Sequence, residues 1–365
     1  MLWSVAARRG LRARARGFPN APPPGGPLPL VSILVPAWNE EAVLANCVGA
    51  IGRLEYPNWE CVLVAGGIDR TFELARELAA GDRRFTAIRQ TPNGKNAALN
   101  QGLAAARGEL VALLDADCVV EPSWLTHLVA GIQDGSDACL GDYRPEPLTP
   151  ISRQFVIDKI VAYYVRGSTR LHGGAILLRR SAVERIGGQF PENVPVGTDW
   201  DLDQRLARAG LRRAFVPAAR HATPYPSTLW QFIRNETRWR RAHFLAALRL
   251  QDRTFGALLR GLRDLAPYLI VSATAIGLVA ALGLSFWSPR SAGWVLAASG
   301  LCLLWILARR AGHVFEVAAY SRNWRWLQFL WLPVTTMALT LACSAVAIAS
   351  LGRVSPHFKG PRPTP

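Results

Sequence analysis

Residues 113–122 read LLDADCVVEP, and they set two carboxylates, Asp115 and Asp117, one residue apart directly after an apolar run. The ordinary explanation is a turn, because Asp accepts hydrogen bonds from nearby backbone N–H groups where strands stop. The alternative is a hard divalent cation. Mg²⁺ is usually held by one or two carboxylates and shares its remaining positions with water and substrate phosphates. The surrounding chain decides between them.

Upstream, LVSILVPAW (30–38) is a β-branched strand signal that Pro36 should stop, and EEAVLANCVGAI (40–51) carries apolar residues at helical spacing. CVLVAGG (61–67) repeats the strand, TFELARELAA (71–80) the helix, FTAIRQT (85–91) a strand, KNAALNQGLAAA (95–106) a helix, and LVALLDAD (110–117) a strand. Alternation of this kind predicts a parallel sheet whose strand ends share one edge. Ligands of such sheets bind outside the carboxyl ends of the strands. That edge holds Pro36 to Glu40, Ala65 to Asp69, and Asp115 to Asp117. A nucleotide therefore belongs beside the two aspartates, and the turn explanation weakens. A dinucleotide-binding domain would carry a Gly-rich fingerprint in the first strand–helix turn, but that turn reads PAWNEEAVL (36–44).

Downstream, GGAILLRRSAVERIGG (173–188) gives a strand, then Ser181 as helix cap and Gly187 as helix stop. VGTDWDLDQRLARAG (196–210) is an acidic helix start closed by Gly210. Thr198 or Asp199 would serve as its cap, with Asp201 and Asp203 favourably placed against the helix dipole. His172 and His221 stand without paired ligands, which favours structural roles over metal binding.

The rest of the chain has a different composition. Three uncharged runs, Leu265 to Phe286, Ser291 to Ala308 and Trp326 to Gly352, approach or exceed the ~17 residues needed to span a bilayer. Trp287, Trp294, Trp324, Trp326 and Trp331 fall at the run edges, where indole rings favour the headgroup region. Arg309, Arg310, Arg322 and Arg325 lie between the second and third runs, against Arg290 alone between the first two. That bias puts the arginine-rich loop, and the soluble part, on the cytoplasmic side of a multi-pass cell-membrane protein. Residues 1–29 form a basic arm without an acid, 30–245 the catalytic domain, 246–264 an amphipathic interfacial segment, 265–352 a membrane domain of about three helices, and 353–365 a tail.

With 42 Lys and Arg against 26 Asp and Glu, the chain carries a formal charge of +16. Nucleic acid is one partner such a charge suggests, but no aromatic–basic strand signature or zinc spacing supports it. The basic residues crowd instead into RNETRWRRAHF (234–244) and RLQDRTFGALLRGLRDL (249–265), beside the expected membrane face, where anionic lipid attracts them. The six cysteines form no Cys-x-x-Cys pair and fit reduced cytosolic thiols.

In order, VSILVPAWNE, GKNAALNQGL, LLDADCVVEP, GGAILLRRSAVERIGG, TDWDLDQRLARAG and NETRW resemble the family 2 glycosyltransferases of GT-A fold, specifically membrane-anchored members. The likeness covers roughly residues 30–245. It implies an α/β fold: a Rossmann-like, mainly parallel mixed sheet with helices on both faces, followed by transmembrane helices. It also implies that Pro36, Ala37, Asn39 and Glu40 flank a UDP- or GDP-sugar donor, with Gly66 and Asp69 at the base end. Lys95 would approach the phosphates, Asp115 the nucleotide's sugar, and Asp117 a Mg²⁺ or Mn²⁺ ion. Asp199 matches the catalytic base. Gly173, Gly174 and Asp201 match the acceptor side, and Arg238 and Trp239 a platform beneath acceptor or diphosphate.

Two departures stand out. AGGID (65–69) replaces the double aspartate that many relatives carry at the second strand, and Asn235 stands where processive synthases have Gln. The expected activity is inverting single addition to a lipid, lipid-linked sugar or glycan. A processive polysaccharide synthase is the nearest alternative, and a catalytically silent membrane scaffold the alternative from another class.

Overall fold

The computed structural model describes residues 28–91, 94–192, 197–248, 270, 273–274, 277 and 280–331. The chain divides into two compact units, the first reaching Pro147 and resuming over Gly167–Tyr225, the second holding Leu148–Arg166 and the chain from Pro226.

The first unit is built on one eight-stranded sheet of order β3-β2-β1-β4-β7-β6-β8-β5. Its strands are β1 Val31–Trp38, β2 Trp59–Gly66, β3 Phe85–Arg89, β4 Leu110–Leu114, β5 Val119–Val120, β6 Ala138–Glu146, β7 Ala175–Arg179 and β8 Arg213–Pro224. β1, β2, β3 and β4 run parallel, linked by α1 Glu41–Gly52, α2 Thr71–Ala80 and α3 Lys95–Ala105. β7 pairs antiparallel with both β4 and β6, so its start lies beside the carboxyl end of β4. The helices α4 Trp124–Gln133, α6 Arg180–Arg185 and α7 Thr198–Arg208 complete the unit.

The strands read as apolar runs because both sheet faces are covered, as expected where crossover helices lie on each side. Ile33, Val35, Leu63 and Ala65 join Leu44, Cys47 and Ile51 of α1 and Leu128 of α4 in one core. On the opposite face, Leu34 and Val64 approach Gly102 of α3 so closely that an added Cβ would stand 3.3 Å from each.

Two local expectations are corrected. Pro36 does not stop β1, which continues to Trp38. β1 pairs with β4 only over Val31–Leu34, so the missing N–H of Pro36 falls beyond that ladder and breaks no bond. Ser181 does not cap its helix either: α6 begins at Arg180, and its start carries no side-chain cap bond.

The second unit is helical. α5 Pro150–Lys159 is started by a capping box between Thr149 and Ser152 and continues as a π-helical turn, Ile160–Val165. Ile157 and Val161 pack with Val314 and Val317 of a 33-residue helix, Pro289–Ser321, and with the residues of a 3-10 turn at Trp324–Phe329. Between Tyr225 and that long helix lies α8, Leu229–Leu248; the long helix is α9. Arg309 and Arg310 were expected in a loop between apolar runs, but α9 carries them as helix without a break. Arg and Ala are good helix formers, so this stretch offers nothing to stop it. Among the described residues, α9 is the one helix long and apolar enough to cross a membrane. The third apolar run beyond Trp331 and half of the first lie outside the described residues, as do the basic arm through residue 27 and the tail.

Candidate active site

The carboxyl ends of β1 and β2 interlock. Asn39, just past β1, adopts the left-handed conformation at φ 56°, which Asn tolerates better than most residues. Its N–H donates to the Gly66 carbonyl at 3.1 Å, and its Oδ1 accepts from the Ile68 N–H at 2.8 Å. A side chain at Gly67, whose φ is 132°, would overlap the Asn39 amide. Gly67 is thus required by Asn39, while an added Cβ on Gly66, the last residue of β2, would come within 2.9 Å of the Trp38 ring.

Glu40 is buried, and its N–H donates to Thr71 Oγ1 at 2.8 Å. Thr71 Oγ1 in turn donates to Asp69 Oδ1 at 2.6 Å. The same Asp69 oxygen accepts from the Thr71 N–H at 3.1 Å, and Oδ2 accepts from the Glu41 N–H at 3.3 Å. Asp69 therefore ties together the starts of α1 and α2. Its carboxylate is occupied as a helix-start acceptor, the work that Asp does at such positions.

β4 ends at Leu114, which leaves Asp115 and Asp117 in the turn beyond it. The Asp115 N–H donates to the Gly174 carbonyl at 2.6 Å, and a Cβ on Gly174 would overlap the Asp115 carboxylate. Lys95, the first residue of α3, donates from Nζ to Asp115 Oδ1. Withdrawal from water works against the Lys95 charge, but the Asp115 carboxylate and its hydrogen bond, then the charges of Asp199 and Asp117, outweigh it and raise the ammonium above the usual lysine range. Lys95 thus ties the start of α3 to the turn that holds Asp115. Beneath them, burial and then the charges of Asp117 and Asp115 push the Cys47 thiol far up, so it remains protonated.

The third element is the approach to β7. Gly173 sits at φ 84°, and its N–H donates to Asp199 Oδ2 at 2.8 Å. The expectation that Thr198 or Asp199 caps α7 is corrected. The cap position is Gly197, φ 86°, with no side-chain cap bond, and Asp199 is spent on the Gly173 loop. Thr198 Oγ1 donates to Asn96 Oδ1 at 2.6 Å, and Asn96 Nδ2 donates to the Pro191 carbonyl at 2.7 Å, which joins the starts of α3 and α7. Asp201 pairs one turn along its own helix with Arg205 at 3.7 Å.

Asp203, expected with Asp201 against the helix dipole, lies beyond the first turn of α7, whose acids are Asp199 and Asp201; it and Asn96, which the sequence does not single out, are marked by burial, at 2 % and 3 % exposed. Pro36 and Ala37 lie in β1 itself. Arg238 and Trp239 lie on α8 of the second unit, where the Trp239 ring meets Phe155 edge-on at 5.7 Å. His221 is buried and His172 exposed, and both rings face Tyr143, at 6.5 and 5.6 Å. Among the described residues no group of three His, Cys, Asp or Glu side chains is assembled to enclose a metal. The Asp115 and Asp117 carboxylates are hard oxygen donors that leave coordination positions for water and phosphate, a set that fits Mg²⁺ or Mn²⁺.

The family model described as glycosyltransferase like family 2 matches residues 27–242. The chain belongs to this family. It is 40 % identical to the beta-monoglucosyldiacylglycerol synthase of Nostoc sp. (strain PCC 7120) over 53 % of this chain and 45 % of that protein. It is 28 % identical to the probable glycosyltransferase YdaM of Bacillus subtilis over 62 % of this chain and 58 % of that protein. The chain thus spans about half the length of these two relatives. Among solved structures it resembles the mannosyltransferase PcManGT from Pyrobaculum calidifontis, in complex with GDP-Man and Mn²⁺, with a TM-score of 0.59, 21 % identity, and coverage of 96 % of this chain and 95 % of that one. At that identity the likeness speaks of the fold, a GT-A glycosyltransferase sheet.

Proposed function

We propose that this family 2 glycosyltransferase moves one sugar, with inversion, from a nucleoside-diphosphate sugar to a hydroxyl of a membrane-associated acceptor. The observation that carries this is the Lys95–Asp115 ion pair at the carboxyl edge of the sheet, with Asp115 bonded to Gly174 and Asp199 to Gly173 of one loop. Asp117, with Asp115, would hold Mg²⁺ or Mn²⁺, which when bound offsets charge on the departing diphosphate as a Lewis acid. Lys95 adds a fixed positive charge beside the same phosphates. Asp199 accepts the acceptor hydroxyl's proton as the new glycosidic bond forms and the bond to the diphosphate breaks. One direct displacement needs no covalent intermediate on the enzyme, hence the inversion. Asn39, Glu40 and Gly66 shape the nucleotide's side of the edge, and Gly173 and Gly174 the acceptor's. We assign Arg238 and Trp239 to the acceptor or diphosphate and place the catalytic unit on the cytoplasmic face of the cell membrane. Support for a lipid acceptor comes from the apolar helix Pro289–Ser321 and from a relative whose name ends in diacylglycerol synthase.

The test is to incubate membranes carrying the protein with a panel of UDP- and GDP-sugars, with Mg²⁺, Mn²⁺ or excess chelator. Transfer of a single residue into the lipid fraction, from one donor and abolished by chelator, is expected. Transfer undiminished in chelator would refute the metal assignment, and a ladder of products would refute single addition.

A further inference from the structure

Asp199 and Asp203 stand four residues apart on α7, so a rise of about 1.5 Å per residue sets them about 6 Å apart on one face. Leu171 and Gly173 are two residues apart on the loop entering β7, which bends at Gly173, φ 84°. Both N–H groups meet that face of α7. The Leu171 N–H donates to Asp203 Oδ1 at 2.9 Å, and the Gly173 N–H to Asp199 Oδ2 at 2.8 Å. His172, between them, is exposed and places its ring on Tyr143 instead.

Asp203 is only 2 % exposed, and a buried carboxylate needs compensation. Arg213, at the start of β8, supplies it: Nη1 donates to Asp203 Oδ1 at 2.7 Å and to the Asp203 carbonyl at 3.3 Å. Arg170 adds a longer contact, Nε to Oδ2 at 3.8 Å. A buried ion pair is weak ground for stability, since apolar side chains of similar volume often replace one without loss. What Asp203 offers that Leu cannot is an acceptor aimed at a single N–H, two residues before the amide that holds Asp199.

We propose that Asp203, held in place by Arg213, is a positioning residue for the transfer step. By fixing Leu171 it delivers the Gly173 N–H to Asp199 Oδ2 and so leaves Asp199 Oδ1 to face the acceptor hydroxyl. This inference rests on Asp199 as base.

The experiment uses the full chain in membranes and whichever UDP- or GDP-sugar the wild type transfers fastest. Asp203→Leu is expected to lower kcat about 10- to 100-fold, the scale on which small misplacements act, with the donor KM changed less than about threefold. Asp203→Asn, which keeps an acceptor oxygen, should restore kcat to within about threefold of wild type. In an Asp199→Asn background, adding Asp203→Leu should cost less than about twofold more, because residues acting as a unit are not additive. Should Asp203→Leu fail to fold, Asp203→Ser, whose hydroxyl is too short to reach the Leu171 N–H, carries the same measurements. Wild-type kcat in a folded Leu or Ser variant, or a further tenfold loss in the Asp199→Asn background, would overturn the proposal while leaving Asp199 as base. Full transfer by Asp199→Asn alone would remove the base assignment and the proposal with it.

Discussion

The two sides of the site are built by different means. On the donor side, Asn39, Gly66, Asp115 and Asp117 follow directly from where β1, β2 and β4 end, and register alone brings the first two together, since Trp38 pairs with Gly66. On the acceptor side, Gly173 and Asp199 belong to a loop and a helix that share no ladder. They meet through single hydrogen bonds between side chain and backbone, Asp199 to Gly173 and Asp203 to Leu171. Sheet register is specified many times over, because a one-residue slip would move every side chain of a strand to the opposite face and misfit both packed layers. A loop held by two carboxylates has no such redundancy. A substitution at either of these carboxylates should therefore cause a large loss of function.

The largest expected effect is at Asp199. Because α7 is not capped by this side chain, Asp199→Asn removes no cap and keeps an oxygen for the Gly173 N–H. Transfer is nevertheless expected to fall about 100-fold or more, since general-base contributions run to roughly 10² to 10⁴. Donor binding, measured by calorimetry with the nucleoside diphosphate, and the melting temperature should stay near wild type. Retained transfer at saturating donor and acceptor would move the base elsewhere and break the contrast.

The paired glycines give a smaller and more discriminating effect. At Gly174 an added Cβ would overlap the Asp115 carboxylate, whereas at Gly173 it would meet nothing within 4 Å. Gly174→Ala should displace Asp115 from Lys95, raising the donor KM and lowering transfer by about tenfold, the order expected when a charge-stabilising contact worth ~1.4 kcal/mol is lost. Gly173→Ala is strained only by its φ of 84°, and the left-handed penalty of about 1–2 kcal/mol should appear mainly as a lower melting temperature. Equal losses of donor affinity from both substitutions would show that the two sides are not separable.

Legibility in the sequence follows the same division. The parallel half of the sheet, its carboxyl edge, and the Asp115 and Asp117 turn were readable because hydrophobic periodicity and strand–helix alternation dictate them. Asp199 was readable through a motif, but its local role was not, since capping and loop-holding acids look alike in one dimension. The antiparallel insertion of β7 between β4 and β6 is a pairing choice made at long range. Asp203 and Asn96 were hidden for that reason too: a polar residue in a helix says nothing about burial until its partners, Leu171 and Arg213 or Thr198, are folded against it. Charge ends an apolar run but not a helix, so hydropathy does not reveal the continuation of α9 through Arg309 and Arg310 to Ser321, which helix propensity allows.

The smallest effect, and a control on the comparison, lies at the opposite edge of the sheet, where β2 begins. Glu60 is 8 % exposed and accepts from Ser32 Oγ at 2.7 Å, from the Arg107 N–H at 2.7 Å and from Arg107 Nε at 2.8 Å. Burial alone would push its acid up, but the hydrogen bonds from Arg107 and Ser32, with the Arg107 charge, prevail and hold it below the usual carboxylate range. A carboxyl so depressed contributes stability that is fully present above its unfolded value of about 4.3 and is lost as pH falls through its folded value. Glu60→Gln should therefore lower stability near pH 7 by about 1–3 kcal/mol, the scale of hydrogen bonds to a charged group. The gap between variant and wild type should narrow as pH falls from the unfolded value of about 4.3 through the lower folded value, below which the wild-type side chain is also neutral. Melting curves from pH 7 down to pH 3 measure this, and a gap independent of pH would show that the Glu60 charge contributes nothing. Transfer at neutral pH, well below either melting temperature, should be unaltered, since Glu60 touches neither the donor turns nor the Gly173 loop. A loss of transfer there would mean that the amino edge of the sheet sets the geometry of the carboxyl edge, and that the two sides of the site share a common determinant after all.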